Sequence, residues 1–149
     1  MVKIRITKEF TFEMAHALWN YDGPCKNIHG HSYKLYVTVR GNTIEDSTNT
    51  KMGMVIDFSE LKKIINMTII DYFDHSVVIN SKAGNPVISN VEKMFDKFYI
   101  VDYQPTCENL VSHMAKMLTN KLPDGIELFS LKLCETATSY AEWYASDNQ

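Results

Sequence analysis

No stretch of the sequence approaches the roughly 20 consecutive apolar residues that a membrane-spanning helix needs, which argues against a membrane partner. A basic run or patch is also missing. Lys and Arg number 15 against 18 Asp and Glu, a formal net charge of −3, and this argues against nucleic acid as a partner. Cysteine is sparse: Cys25, Cys107 and Cys134 are odd in number and lack paired spacing. They point to reduced thiols in a cytoplasmic protein rather than to a disulfide framework. Internal repeats and low-complexity segments are absent. The opening Met1-Val2-Lys3-Ile4-Arg5-Ile6 alternates, unlike a signal or transit peptide. What remains is a chain of 149 residues, 45% hydrophobic, enough to fill the core of a single domain spanning 1–149.

Histidine is scarce as well, at five residues, yet three of them fall at related places. From Val2 to Met14 the even positions are apolar except Lys8, and the odd positions are polar, the period of a half-buried strand. His16 continues the even set. After the loop, Tyr33, Leu35, Val37 and Val39 alternate with polar residues, and His29 and His31 share their parity. All three imidazoles are therefore expected at strand ends on the buried face. Gly30 keeps the backbone between His29 and His31 uncrowded. Three imidazoles with a fourth position open are the plan of a catalytic zinc site. Iron or copper accepts the same ligands. A cupin also offers His-x-His on a strand, but wants a glutamate a few residues on, and Val37 to Arg40 supplies none. The plainer alternative is a set of hydrogen-bonded core histidines.

Two helices are expected between two pairs of strands. Asp57 can cap the first, with Glu60 completing a capping box, and Leu61, Ile64, Ile65, Thr68, Ile69 and Tyr72 recur at helical spacing. Asp74-His75 follows at the helix end. Thr106 is the expected cap of the second helix, whose stripe is Leu110, Val111, Met114, Met117 and Leu118. Beyond a Pro123-Asp124-Gly125 turn, Phe129, Leu131 and Leu133 alternate with polar residues, and Glu135 continues the apolar parity. Residues 139–144 form the last expected strand. The stretch at about 81–104 reads as an insert holding a short helix near Val91–Phe98 and an extended piece near Tyr99–Tyr103.

The order Phe12-Glu13-Met14-Ala15-His16, Cys25-x3-His29-Gly30-His31, Gly53-Met54-Val55-Ile56-Asp57-Phe58-x-Glu60-Leu61, Asp74-His75, Pro105-Thr106-x-Glu108-Asn109 and Glu135-Thr136 resembles the 6-pyruvoyl-tetrahydropterin synthase / 6-carboxytetrahydropterin synthase family. The resemblance implies an α+β tunnelling fold, ββααββ. Its four-stranded antiparallel sheet carries two helices on one face and closes a barrel when subunits assemble as a homo-oligomer, a trimer or a dimer of trimers (a homohexamer). It implies Zn²⁺ held by His16, His29 and His31, acting as a Lewis acid on the side chain of 7,8-dihydroneopterin triphosphate. Cys25 would then be the proton acceptor, and Asp74 and His75 a proton-passing pair. Glu135 would anchor the pterin N–H groups and join the proton relay, with Thr106 and Glu108 lining the pterin pocket.

Each residue has a structural alternative: Cys25 an inert buried thiol, Asp74-His75 a polar helix terminus, Glu135 a hairpin charge, Thr106 a cap alone. The family's pyruvoyl branch places more residues between cysteine and His-Gly-His, whereas Cys-x3-His-Gly-His is typical of the carboxy branch. The three residues here, Lys26, Asn27 and Ile28, favour the carboxy branch, which releases acetaldehyde and triphosphate and feeds 7-deazaguanine and queuosine synthesis. The length of the segment between His75 and Pro105 and the Thr-Ala-Thr-Ser after Glu135 depart from the compact members. A pyruvoyl synthase, a pterin-binding protein without turnover, and a different metal hydrolase are the alternatives.

Overall fold

The computed structural model describes residues 2–149. Alternating residues build two long strands, β1 (Lys3–Ala17) and β2 (His29–Asn42), which pair antiparallel from Lys3 opposite Asn42 to His16 opposite His29. One face of the ribbon is buried, and Phe10, Phe12, Met14, Tyr33, Leu35, Val37 and Val39 all lie in the main core. Val2 and Ile4 also have the apolar parity but stand exposed at the start of the ribbon.

Against this face lies a helix in three parts: α1 (Phe58–Ile65), a wider turn over Asn66–Ile70, and α2 (Asp71–Phe73). Asp57 caps it by accepting from the Ser59 amide. Glu60 closes no capping box; its carboxylate pairs with Lys51 at 3.0 Å. The buried residues are Leu61, Ile65, Ile69 and Phe73, a strict spacing of four. That spacing drifts around an ideal helix of 3.6 residues per turn. The π turn, in which the Asp71 amide donates to the Asn66 carbonyl, takes out the drift and keeps all four on the core.

The expected four-stranded antiparallel sheet needs correction. The sheet has six strands and is mixed, in the order β4 (Phe98–Val101), β3 (Ser76–Asn80), β1, β2, β5 (Glu127–Cys134), β6 (Tyr140–Tyr144). Its antiparallel part is β1, β2, β5 and β6. Two further strands, β3 and β4, add in parallel at the β1 edge. All five residues of β3 are buried, so no alternation betrays it. Between β3 and β4, α3 (Asn85–Met94) packs Val91 on Val77 and Ile79, across the sheet from the main core. The two-helices-on-one-face picture therefore gains a third helix on the other face. The helix expected near Val91–Phe98 begins earlier, with Pro86 in its first turn.

The last helix, α4 (Cys107–Met117), is capped by Thr106, which accepts from the Asn109 amide. A bulge between Thr38 and Val39 corrects the parity of β5: Leu128 joins the core, and Phe129 turns outward beneath the Arg5 guanidinium at 3.9 Å. Among the described residues no helix is long and apolar enough to cross a membrane. Leu35 is fully buried at the centre of this arrangement. Leu35→Ala is expected to cost about 2–5 kcal/mol, read as a shift in the urea midpoint at unchanged slope.

Candidate metal centre

The β1–β2 register sets His16 directly opposite His29, and His31 lies two residues along the same strand and face. The rings stand close together, with centroids 4.6 Å apart for His16–His29, 5.2 Å for His16–His31 and 4.9 Å for His29–His31. One nitrogen from each lies within 4.8 Å of the others. His16 is almost wholly buried, and burial lowers its pKa, which favours the neutral, ligating form.

Two backbone carbonyls settle the tautomers. His16 Nδ1–H donates to the Pro105 carbonyl at 2.6 Å, and His29 Nδ1–H donates to the Asn27 carbonyl at 2.8 Å. A carbonyl oxygen only accepts, so in each neutral ring the bare nitrogen is Nε2. These two Nε2 atoms face each other at 3.1 Å. Two lone pairs at that distance repel unless a cation lies between them. His31 Nε2 is buried with no hydrogen-bond partner among the described residues, and Glu135 Oε1 lies 3.6 Å away. The donor set therefore fits a divalent metal, with the second set of contacts orienting the ligands.

Beside the histidines is a cavity of about 320 Å³, lined among others by His16, His29, Cys25, Thr106, Glu108 and Glu135. Cys25 sits in a short 3₁₀ turn, Pro24–Lys26, of the β1–β2 loop. Glu135 arrives from the end of β5 on the face of Leu131 and Leu133, and its amide closes the hairpin on the Ser139 carbonyl. The structure thus brings together His16, His29, His31, Cys25, Thr106, Glu108 and Glu135.

Asp74 and His75 stand elsewhere. They line or border a separate depression whose walls include Glu13, Gly30, His31, Ser32 and His75. Asp74 Oδ1 accepts from the Glu13 amide, which holds its carboxyl below the usual range. His75 Nδ1 lies 3.1 Å from Asp74 Oδ2, and the His75 backbone is left-handed at φ 59°. A non-glycine residue held there is strained, and the Glu13 carbonyl secures it by accepting from the His75 amide.

Sequence reasoning missed Tyr21, Cys107, Ser139 and Tyr140 in the cavity wall, and the Pro105 and Asn27 carbonyls. A carbonyl has no residue signature, so only the short spacing of Asn27 to His29 hinted at either. Tyr33 forms the floor: it is buried, stacked on Phe12 at 5.0 Å, and edge-on to His31 at 5.5 Å.

Comparison with known proteins gives a consistent picture. The sequence profile of the 6-pyruvoyl tetrahydropterin synthase family matches residues 5–146. A Haemophilus influenzae protein named 6-carboxy-5,6,7,8-tetrahydropterin synthase is 35% identical over 143 residues, 93% of this chain and 97% of its own. A Rickettsia felis protein of the same name is 31% identical over 93% of this chain and 99% of its own. Among solved structures, an uncharacterised protein from Wolinella succinogenes superposes with a TM-score of 0.74 at 20% identity, covering 97% of this chain and 99% of that one. Caenorhabditis elegans 6-pyruvoyl tetrahydropterin synthase superposes with a TM-score of 0.69 at 23% identity, covering 97% of each chain. These two likenesses concern the fold.

Two outcomes are expected. One divalent metal ion should bind per chain by isothermal titration, and His16→Ala or His31→Ala should weaken it at least about a hundredfold, since each removes one of three ligands. The Cys107 thiol should also be slow to react. Burial first, then the nearby Glu135 carboxylate, pushes the Cys107 thiol up to about 12, so it stays protonated below that pH. Iodoacetamide labelling of Cys107 in the folded protein should stay slow from about pH 7 to 10, whereas the unfolded control rises through the ordinary thiol pKa of about 8.5.

Proposed function

The chain belongs to the 6-pyruvoyl tetrahydropterin synthase family, and from that premise we propose that it is a 6-carboxy-5,6,7,8-tetrahydropterin synthase. It is then a carbon–carbon lyase that converts 7,8-dihydroneopterin triphosphate to 6-carboxy-5,6,7,8-tetrahydropterin with release of acetaldehyde and triphosphate. The observation that carries the reading is one cavity in which two imidazoles of the three-histidine cluster, His16 and His29, face a cysteine and a carboxylate. The names of the two bacterial relatives and the three-residue spacing from Cys25 to His29 favour the carboxy product over the pyruvoyl one.

His16, His29 and His31 would hold zinc, which supplies Lewis acidity toward the hydroxyls of the substrate side chain. Cys25, on its loop beside the cluster, takes the proton released there. Glu135 presents a carboxylate to the N–H groups of the pterin ring and so fixes the distance between ring and thiol. Thr106 and Glu108 line the ring pocket from the start of α4, and the Thr106 hydroxyl is already engaged with the Asn109 amide. The Asp74-His75 pair passes protons. Its side chains border a depression apart from Cys25, and His75 is exposed, so the pair is available to the cavity of a neighbouring copy.

A homo-oligomer, a trimer or a dimer of trimers, accounts for the open edges at β4 and β6, because barrel closure between copies pairs edge strands. The product would feed 7-deazaguanine and queuosine synthesis in the cytoplasm. Product analysis by mass spectrometry, after incubating the zinc-loaded protein with dihydroneopterin triphosphate, is expected to yield carboxytetrahydropterin and acetaldehyde. Cys25→Ala should abolish turnover while zinc stays bound, and Glu135→Ala should weaken pterin binding. A pyruvoyl product would select the other branch, and pterin binding without turnover a non-catalytic role. Activity that survives Glu135→Ala would indicate a different metal hydrolase. Mixing Cys25→Ala with His75→Ala chains should restore part of the activity if the two residues serve one site from different copies.

A further inference from the structure

The β1–β2 loop carries Cys25 but has few ties of its own. Its neck is closed by the Leu18 amide donating to the Cys25 carbonyl at 2.9 Å. Beyond that and the turns within the loop, its hydrogen bonds to side chains from a distant part of the chain come, among the described residues, from Gln104, while Lys82 Nζ stands 5.7 Å from the Trp19 ring centroid. The Gln104 carboxamide grips the Trp19 backbone at both its N–H and its C=O. Its Oε1 accepts from the Trp19 amide at 3.0 Å, and its Nε2 donates to the Trp19 carbonyl at 2.8 Å. The amide orientation is not arbitrary, because buried Asn80 at the end of β3 also donates its Nδ2 to Gln104 Oε1, at 3.2 Å. Asn80 Oδ1 is occupied in turn by the Lys82 amide.

The backbone of Gln104 is equally committed. Its carbonyl accepts from the Thr106 amide at 2.8 Å and from Asn109 Nδ2 at 2.9 Å. The next residue is Pro105, whose carbonyl orients His16. One residue therefore joins the loop that bears the thiol to the segment that orients a metal ligand and caps α4.

We propose that Gln104 is a positioning residue of the reaction: its two-sided clamp on Trp19 holds the Cys25 loop against the metal centre. The proposal rests on the synthase reading for its effect on turnover, but the clamp can be read without turnover. In Gln104→Met, of similar length and without polar ends, the Trp19 N–H and C=O lose their Gln104 partners. Each bond is worth a few-fold in the closed population, so alkylation of Cys25 by iodoacetamide, followed by peptide mass spectrometry, should run about tenfold faster than in wild type. Amide exchange at Trp19 should accelerate in parallel. With metal binding at the three histidines retained, kcat for dihydroneopterin triphosphate should fall about tenfold or more while KM changes less, because the thiol is displaced and the ring pocket is not. Gln104→Glu, which keeps the acceptor for the Trp19 amide and sets a carboxylate against the Trp19 carbonyl, should fall between the two.

A folded Gln104→Met protein with wild-type alkylation, exchange or kcat would overturn the proposal. Should that variant not fold, exchange in the wild type decides: a Trp19 amide that exchanges as fast as the free loop residues would also overturn it. If wild type shows no turnover of the pterin, the synthase reading fails, and the alkylation and exchange results still judge the clamp.

Discussion

The arrangement depends on the register between β1 and β2. His16 can meet His29 across the ribbon only because fourteen consecutive residue pairs hold the two strands in step. A slip of one residue would turn every side chain on one strand to the other face and break the cluster together with the core. Core and site thus share one specification. The apolar residues that bury Phe10, Phe12, Leu35 and Val37 also aim the imidazoles, so the site does not need a separate scaffold.

That economy has an electrostatic consequence. The two nitrogens of His16 and His29 that face each other are both acceptors, because carbonyls have taken the other nitrogens as donors. The fold therefore brings together, in a partly desolvated place, groups that repel in the absence of a cation. Binding free energy of a metal at these three histidines would offset this repulsion and couple the ion to the stability of the strand ends. Tyr33 and Phe12 beneath the rings restrict water on the inner side, which strengthens any interaction made there.

Much of this was legible in the sequence, because strand parity is a strong signal wherever one face is wet. It brought His16, His29 and His31 to one face and set Glu135 on the face of Leu133, while helix-start residues located the caps Asp57 and Thr106. It failed where its premise fails. β3 is buried on both faces, so Val77-Val78-Ile79 reads as a plain apolar run, and a parallel pairing with β1 leaves no turn signal between neighbours. At Phe129 the bulge inserts one residue and inverts the parity, and alternation cannot reveal where a register shifts. Backbone carbonyls are invisible in residue types, and so was the orientation of His16 by Pro105.

The distribution of parts between strand and loop has its own logic. The three imidazoles need fixed mutual distances, and adjacent strands supply them at little further conformational cost. On the proposed reading the thiol stands beside a substrate that enters and leaves, and Cys25 lies on a loop, in the turn Pro24–Lys26. A loop permits that passage but carries an entropy that strands have already lost. Gln104 belongs to neither the loop nor the strand pair, and it bonds the loop through the N–H and C=O of one residue, Trp19. Restraint at a single residue would limit the excursions of Cys25 without filling the cavity with side chains. The difference between Cys25 and Cys107 follows the same division. Cys107, on the first turn of α4, spends its S–H on the Leu133 carbonyl at 3.2 Å and is held protonated by burial. A thiol built into the helix and held protonated is fixed and inert, and the thiol proposed to take the proton is the one on the loop that Gln104 bonds.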